Sequence, residues 1–89
     1  MAQLRAELVN RLGLHARAAA KFVHTASRFG SQILVRHNEE EVNGKSILGL
    51  LLLAAPCGSL LTITATGEDE APALEALELL IRERFGESE

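Results

Sequence analysis

Apolar residues occupy every second position at the start of the chain, and most of them are separated by polar residues. This apolar set is Ala2, Leu4, Ala6 and Leu8. A period of two is typical of a β-strand with one buried face, and this strand is expected to end near Asn10. A second alternating segment, residues 60–66, is rich in β-branched residues and predicts a central strand. Its inner face carries Leu61, Ile63 and Ala65.

Three segments show the periodicity or the boundary residues of helices. Over residues 16–28 apolar side chains recur three or four positions apart, and Gly30 follows as a C-terminal stop. The apolar run at residues 47–55 is preceded by Ser46, a good N-cap, and its length favours a short helix. Pro72 suits the first turn of a last helix. The buried face of that helix is predicted to carry Leu74, Leu77, Leu80 and Ile81.

Two further strands complete the element order βαββαβα. They cover residues 31–37 and 40–43, joined by a polar turn around Asn38. The order predicts an α+β open-faced sandwich, in which a mostly antiparallel four-stranded sheet carries three helices on one face. With 89 residues, 47% of them hydrophobic, we expect one domain over residues 1–89 and a monomer.

Charge and composition exclude several classes of protein. The formal net charge is −3 and the only aromatic residues are three phenylalanines, which argues against a general nucleic-acid binder. The single cysteine, Cys57, cannot form an internal disulfide. The first residues alternate rather than forming a basic segment followed by an apolar run, so we expect no targeting segment, and the longest apolar run is too short to cross a bilayer. These features predict a cytoplasmic protein without membrane insertion.

The segment GLHAR, residues 13–17, places His15 after a glycine and at the start of the first predicted helix. N–H groups at a helix start lack helical acceptors, and together with the macrodipole they form a site for anions such as a phosphoryl group. Arg17 can bind phosphate oxygens through its planar guanidinium group. The spacing alone also allows His15 to be a plain helix cap beside a solvated arginine.

GLHAR and the segment NGKSILGL, residues 43–50, resemble the histidine-containing phosphocarrier (HPr) family of the bacterial phosphoenolpyruvate-dependent phosphotransferase system. The resemblance covers essentially the whole chain. It implies that His15 accepts a phosphoryl group from phosphorylated enzyme I and passes it to the A domain of a sugar permease (enzyme II) or to a regulatory homologue. The chain would then be a phosphocarrier with a phosphohistidine intermediate, not a self-contained enzyme, and no cofactor or metal is expected.

The same resemblance matches Ser46 with the family's regulatory phosphorylation serine. An HPr serine kinase is therefore a further candidate partner, while the N-cap role requires no kinase. The sequence leaves open whether this chain is phosphorylated at Ser46.

Two surfaces are candidates for partner binding. A basic stripe on the first helix consists of Arg17, Lys21, His24 and Arg28. In an acidic protein we interpret it as a surface that steers an acidic donor, although such charges are often only a solvated face. Leu50 and Leu53 can serve the core, so the other apolar residues of the short helix are expected to form an exposed docking patch. This apolar patch consists of Ile47, Leu48, Leu51 and Leu52. The alternative is that all of them are buried.

Two positions depart from the family pattern. Ala18 replaces the usual proline, and Ala54 stands where glycine is common.

The sequence also leaves other functions open. His24 and His37 have no neighbours at ligand spacing, so no metal role is expected. The alternative functions are an acylphosphatase-like hydrolase, a non-catalytic regulatory module, and an HPr paralogue of a nitrogen-related branch that acts by partner binding.

Overall fold

The computed structural model describes residues 1–89, and its elements follow the predicted order βαββαβα. The strands β1 to β4 are Ala2–Glu7, Gln32–His37, Glu40–Asn43 and Leu60–Thr66. The helices α1 to α3 are Ala16–Ala26, Ile47–Leu52 and Glu70–Arg82. A short 3₁₀ turn, Arg84–Gly86, follows α3.

The four strands form one sheet in the order β1-β4-β2-β3, and every pairing is antiparallel. The prediction that β4 is central is confirmed, because it pairs with both β1 and β2. Ile63 of β4 lies opposite Leu4 on one side and Val35 on the other. The apolar positions of neighbouring strands therefore share one face, and a slip of one residue would turn them to solvent.

The helices cover this apolar face of the sheet. Helix α3 contacts β1 and β4, and α1 packs against α2 and α3. Phe22 and Leu77 are fully buried at these contacts, and so is Phe85 of the 3₁₀ turn. The opposite face carries exposed side chains such as Gln3 and Arg5. None of the helices combines the length and apolarity that crossing a membrane requires.

The end of α1 differs from its prediction. The helix ends at Ala26 instead of residue 28, and Ser27 is its C-cap. Gly30 does not adopt the left-handed conformation of a glycine stop. Its N–H instead donates a hydrogen bond to the Asp69 carboxylate at 2.9 Å. A contact with the distant start of α3 therefore determines the conformation of Gly30.

Asp69 connects the loop after α1 to the start of α3. Its carboxylate accepts hydrogen bonds from the Gly30 N–H, from the Ser31 N–H at 3.0 Å and from the Ser31 hydroxyl. Ser31 is buried, and a Cβ at Gly67 would come within 2.5 Å of its Oγ. The hydrogen bond from the Ser31 hydroxyl, followed by that from Gly30, lowers the pKa of Asp69 below its ordinary value.

The pKa of Asp69 is lower in the folded protein than in the unfolded chain, so its hydrogen bonds stabilise the fold fully at a pH above the pKa of the unfolded chain. This contribution is lost as the pH falls through the lower pKa of the folded protein. We therefore expect Asp69→Asn to lower the Tm at neutral pH and to differ less from the wild type in acid. Thermal unfolding over a pH series measures this difference. Glu68→Gln, which removes the same charge at an exposed neighbour, is the control. A Tm difference that does not change with pH would contradict the assignment.

Candidate functional site

A tight turn brings the chain from β1 to α1. The Gly13 N–H donates to the Asn10 carbonyl at 3.1 Å, and the Asn10 side-chain amide donates to the Gly13 carbonyl at 2.8 Å. Gly13 has φ +65, and a Cβ there would lie 2.5 Å from the Ala55 carbonyl oxygen. The Leu14 N–H donates to that same carbonyl at 2.9 Å. The prediction that Gly13 permits a tight turn and a close approach is confirmed, because no side chain fits there.

His15 occupies the N-cap position of α1, as predicted. Its carbonyl accepts a hydrogen bond from the Ala19 N–H at 2.8 Å, while its side chain makes no capping bond. His15 therefore occupies the N-cap position without capping the helix through its ring. Because helical hydrogen bonding starts at Ala19, the N–H groups of residues 16–18 have no acceptor within the helix. These groups and the macrodipole create a positive potential beside His15.

The ring of His15 is bound by a residue that the sequence analysis did not identify. Its Nε2 is hydrogen-bonded to one carboxylate oxygen of Glu87. The other oxygen of Glu87 accepts a hydrogen bond from the side-chain amide of Asn10 at 3.0 Å. Burial alone would raise the pKa of Glu87, but the hydrogen bonds from Asn10 and His15, together with the nearby charge of Arg17, lower it below its ordinary value.

The sequence contains a signal for one of these two residues. Asn10 continues the series of alternate positions that leads through Ala6 and Leu8, and it is fully buried. A polar side chain at such a position must find hydrogen-bonding partners, which points to a local role. Glu87 lies in a short polar segment after the last helix, where no periodicity distinguishes it from its neighbours.

His15 and Arg17 line the same open cavity, which has a volume of about 560 Å³. Its other walls include Arg11 and the C-terminal tail, residues 87–89. Arg11 is attached to this tail through its guanidinium, 3.0 Å from the Glu89 carboxylate, and through its N–H, 2.9 Å from the Glu89 carbonyl. The cavity thus combines an imidazole, a free helix start and a guanidinium group, which together suit a phosphoryl group.

All members of the basic stripe are exposed. Lys21 has a further contact, because its Nζ donates to the Phe85 carbonyl at 2.6 Å. The guanidinium of Arg28 lies 5.8 Å from the centre of the Phe29 ring. The predicted stripe is therefore present on the surface, but its lysine is also a support for the 3₁₀ turn.

The structure confirms the prediction for Ser46 as a helix cap and for the exposure of the apolar patch. The Ser46 hydroxyl accepts a hydrogen bond from the Gly49 N–H at 3.0 Å. Leu50 and Leu53 are buried. The exposed fractions of the patch are 42% for Ile47, 68% for Leu48, 36% for Leu51 and 66% for Leu52. The alternative in which the whole apolar run is buried is wrong.

The two departures from the family pattern lie near this site. Ala54 follows the C-cap of α2 and has φ +50, a left-handed conformation that glycine adopts with less strain. Ala18 is fully buried in the first turn of α1, where alanine is a good helix former.

No three possible metal ligands lie together in the structure, so neither His24 nor His37 belongs to such a cluster.

Comparisons with known proteins point to one family. A family model described as the PTS HPr component phosphorylation site matches residues 2–83. The phosphocarrier protein HPr of Neisseria meningitidis serogroup B is 52% identical over 83 residues, which is 93% of each chain. The HPr of Cupriavidus necator is 46% identical over the whole of both chains. The crystal structure of HPr-C-His from Thermoanaerobacter tengcongensis aligns over the whole of both chains with a TM-score of 0.96 and 45% identity.

Proposed function

The chain belongs to the HPr phosphocarrier family of the phosphotransferase system, and we propose that His15 is the residue that carries its phosphoryl group. Membership of this family identifies a carrier rather than a catalyst, so an acylphosphatase-like hydrolase does not fit. The proposal is carried by the geometry of His15, which lies at the free start of α1 and shares a cavity with Arg17.

The transfer step uses the ring nitrogen that the protein leaves available. Because Nε2 of His15 is engaged by Glu87, Nδ1 is the proposed acceptor atom. Its lone pair forms the bond to phosphorus while the bond from phosphorus to the donor breaks, and those electrons leave with the donor atom. The free N–H groups of α1 and the Arg17 guanidinium would stabilise the negative oxygens of the phosphoryl group.

The partners follow from the family. Phosphorylated enzyme I is the proposed donor, and the A domain of a sugar permease or a regulatory homologue is the proposed acceptor, all in the cytoplasm. A paralogue of the nitrogen-related branch is the alternative, and offering both kinds of A domain to the phosphorylated protein distinguishes the two. The monomeric state stays a prediction, since one similar structure, from Thermoanaerobacter tengcongensis, is described as an HPr dimer.

Incubation with phosphoenolpyruvate and a cognate enzyme I is expected to add one phosphoryl group per chain, labile in acid as a phosphoramidate is. His15→Ala should abolish the labelling because the acceptor atom is gone. Intact-protein mass spectrometry measures the product. His37→Ala, at the far end of β2, is the control and should be labelled like the wild type. Full labelling of His15→Ala, or an acid-stable product, would refute the assignment.

The basic stripe and the apolar patch are proposed as two parts of one docking surface. Helix α1 carries the stripe as far as His24, with Arg28 just after its end, and it packs against α2, which carries the patch. Exposed cations act over a distance and mainly accelerate encounter, whereas an apolar patch contributes after contact by burying surface. The two parts should therefore differ in their dependence on salt.

Arg28→Glu should slow phosphorylation by enzyme I most strongly at low salt, whereas Leu48→Ser should slow it about equally at all salt concentrations. Initial rates over a salt series measure both effects. Two control variants match these changes. Arg36→Glu makes the same charge change on the open face of the sheet, and Leu79→Ser replaces a leucine of α3 that is also exposed. Equal phosphorylation rates for Arg28→Glu and Arg36→Glu would exclude steering by the basic stripe. A wild-type rate for Leu48→Ser would exclude a docking role for the apolar patch.

Ser46 is proposed as a regulatory site that an HPr serine kinase would phosphorylate. Its position at the start of α2 favours a negative group for the helix, because the macrodipole is positive there. The same charge would lie beside the apolar patch and would repel an acidic donor. Stability and transfer should therefore respond in opposite directions.

Ser46→Ala removes the hydrogen bond to Gly49 and should cost about 0.5–2 kcal/mol of stability, while leaving transfer nearly intact. Ser46→Asp can still cap the helix, so it should keep the stability but slow transfer. Thermal melts and rates with enzyme I measure the two properties. Asn38→Asp, which adds the same charge in the turn between β2 and β3, is the control. Wild-type transfer by Ser46→Asp would leave Ser46 as a cap only.

A further inference from the structure

Glu87 joins three parts of the chain that are far apart in sequence. One carboxylate oxygen contacts Nε2 of His15, from which it is separated by 72 positions, and the other accepts a hydrogen bond from Asn10. The side chains of His15 and Glu87 are only 27% and 14% exposed. Water therefore screens this contact less than it screens an ion pair on the open surface.

The position of Glu87 is fixed by contacts on both sides of it. Before it, Phe85 is fully buried, and its carbonyl accepts a hydrogen bond from Lys21 at 2.6 Å. After it, Glu89 is bound to the side chain and the backbone of Arg11. The segment that carries Glu87 is therefore anchored at both ends, and this holds the carboxylate against His15.

Asn10 fixes the carboxylate of Glu87 from the inside of the protein. Its amide nitrogen donates to both the Gly13 carbonyl and Glu87, which uses both of its N–H bonds. Its carbonyl oxygen is buried without a partner, so these two donated bonds alone set the orientation of the amide. A neutral donor held in this way favours the ionised carboxylate without competing for His15.

We infer that Glu87 is a positioning residue for the phosphoryl-accepting histidine: it accepts the hydrogen bond from Nε2–H of His15 and thereby leaves Nδ1 unprotonated. The inference rests on the proposed function and adds a second role for the same carboxylate. During transfer, Glu87 offsets the positive charge that the ring acquires.

The charge follows from the bonds that change. Neutral His15 carries its proton on Nε2, and the lone pair of Nδ1 forms the bond to phosphorus as the bond to the donor breaks. No proton moves, so the ring keeps Nε2–H and becomes positively charged. A carboxylate already bonded to that N–H interacts more strongly with the charged ring than with the neutral one, which favours the transition state.

The same carboxylate could instead oppose the reaction. Glu87 is negative and lies, with Arg17, in the cavity proposed for the phosphoryl group. If competition with the phosphoryl group dominated, removing the charge would accelerate phosphorylation. The direction of the rate change therefore decides between a positioning and an inhibitory role.

The first measurement is the tautomer of His15, from the ¹⁵N chemical shifts of its imidazole at a pH where the ring is neutral. The wild type should show the proton on Nε2, and Glu87→Gln should show a weaker preference, because its single oxygen must serve both Asn10 and His15. Glu87→Ala should lose this preference, and a cooperative thermal melt, at a Tm lowered by the lost bond from Asn10, shows that the variant is still folded. Glu75→Gln removes a carboxylate from the exposed side of α3, away from the tail, and should leave the tautomer unchanged.

The second measurement is the rate at which phosphoramidate, a small phosphoryl donor that releases ammonia, phosphorylates His15. Because this donor needs no docking surface, the rate reports the chemical step. Glu87→Gln should be about five- to tenfold slower than the wild type and Glu75→Gln unchanged, since a hydrogen bond to an ionised partner is about twice as strong as a neutral one. Equal or faster rates for Glu87→Gln would overturn the inference.

The two proposals fail in distinguishable ways. If enzyme I does not label His15 of the wild type, the proposed function fails, while the ¹⁵N shifts still report the contact with Glu87. If enzyme I labels the wild type but Glu87→Ala keeps the wild-type tautomer, the positioning role fails and the carrier function stands.

Discussion

The close approach of Gly13 to the backbone of residues 55–57 determines where α1 begins, and the candidate site depends on it. The Leu14 N–H is bonded to Ala55, and Leu8 exchanges hydrogen bonds with residues 58 and 59 at 2.7 and 2.9 Å. These contacts attach the loop before α1 to the segment that enters β4. Since β1 and β4 are paired in the sheet, the loop that carries His15 is attached to two neighbouring strands.

The electrostatics of the site are local and do not follow the net charge of the protein. The chain is acidic overall, yet the free N–H groups of α1 and the guanidinium of Arg17 lie on one side of the cavity that contains His15. Glu87 places a single carboxylate against the ring, and Asn10 orients it. The candidate site thus combines fixed dipoles, one guanidinium group and one counter-charge, the set of groups on which the proposed function rests.

Local periodicity predicted most of the elements. The alternation of β4, the Ser46 cap and the excess of leucines in α2 are properties of neighbouring residues, and each was confirmed. The end of α1 was predicted wrongly, because Gly30 is bonded to Asp69, a partner outside its own segment. Sequence patterns cannot include such a partner, since the contact exists only after α3 has packed on the sheet.

The sequence by itself determined the chemical groups of the candidate acceptor site. His15, Arg17 and the start of a helix lie within a few residues of each other, so their closeness follows from the chain itself. Only the tertiary structure decided which nitrogen of His15 remains available, because Glu87 reaches the ring from 72 positions away. That contact needs the burial of Phe85 and the packing of the last helix, and these arise from the whole core rather than from any local pattern.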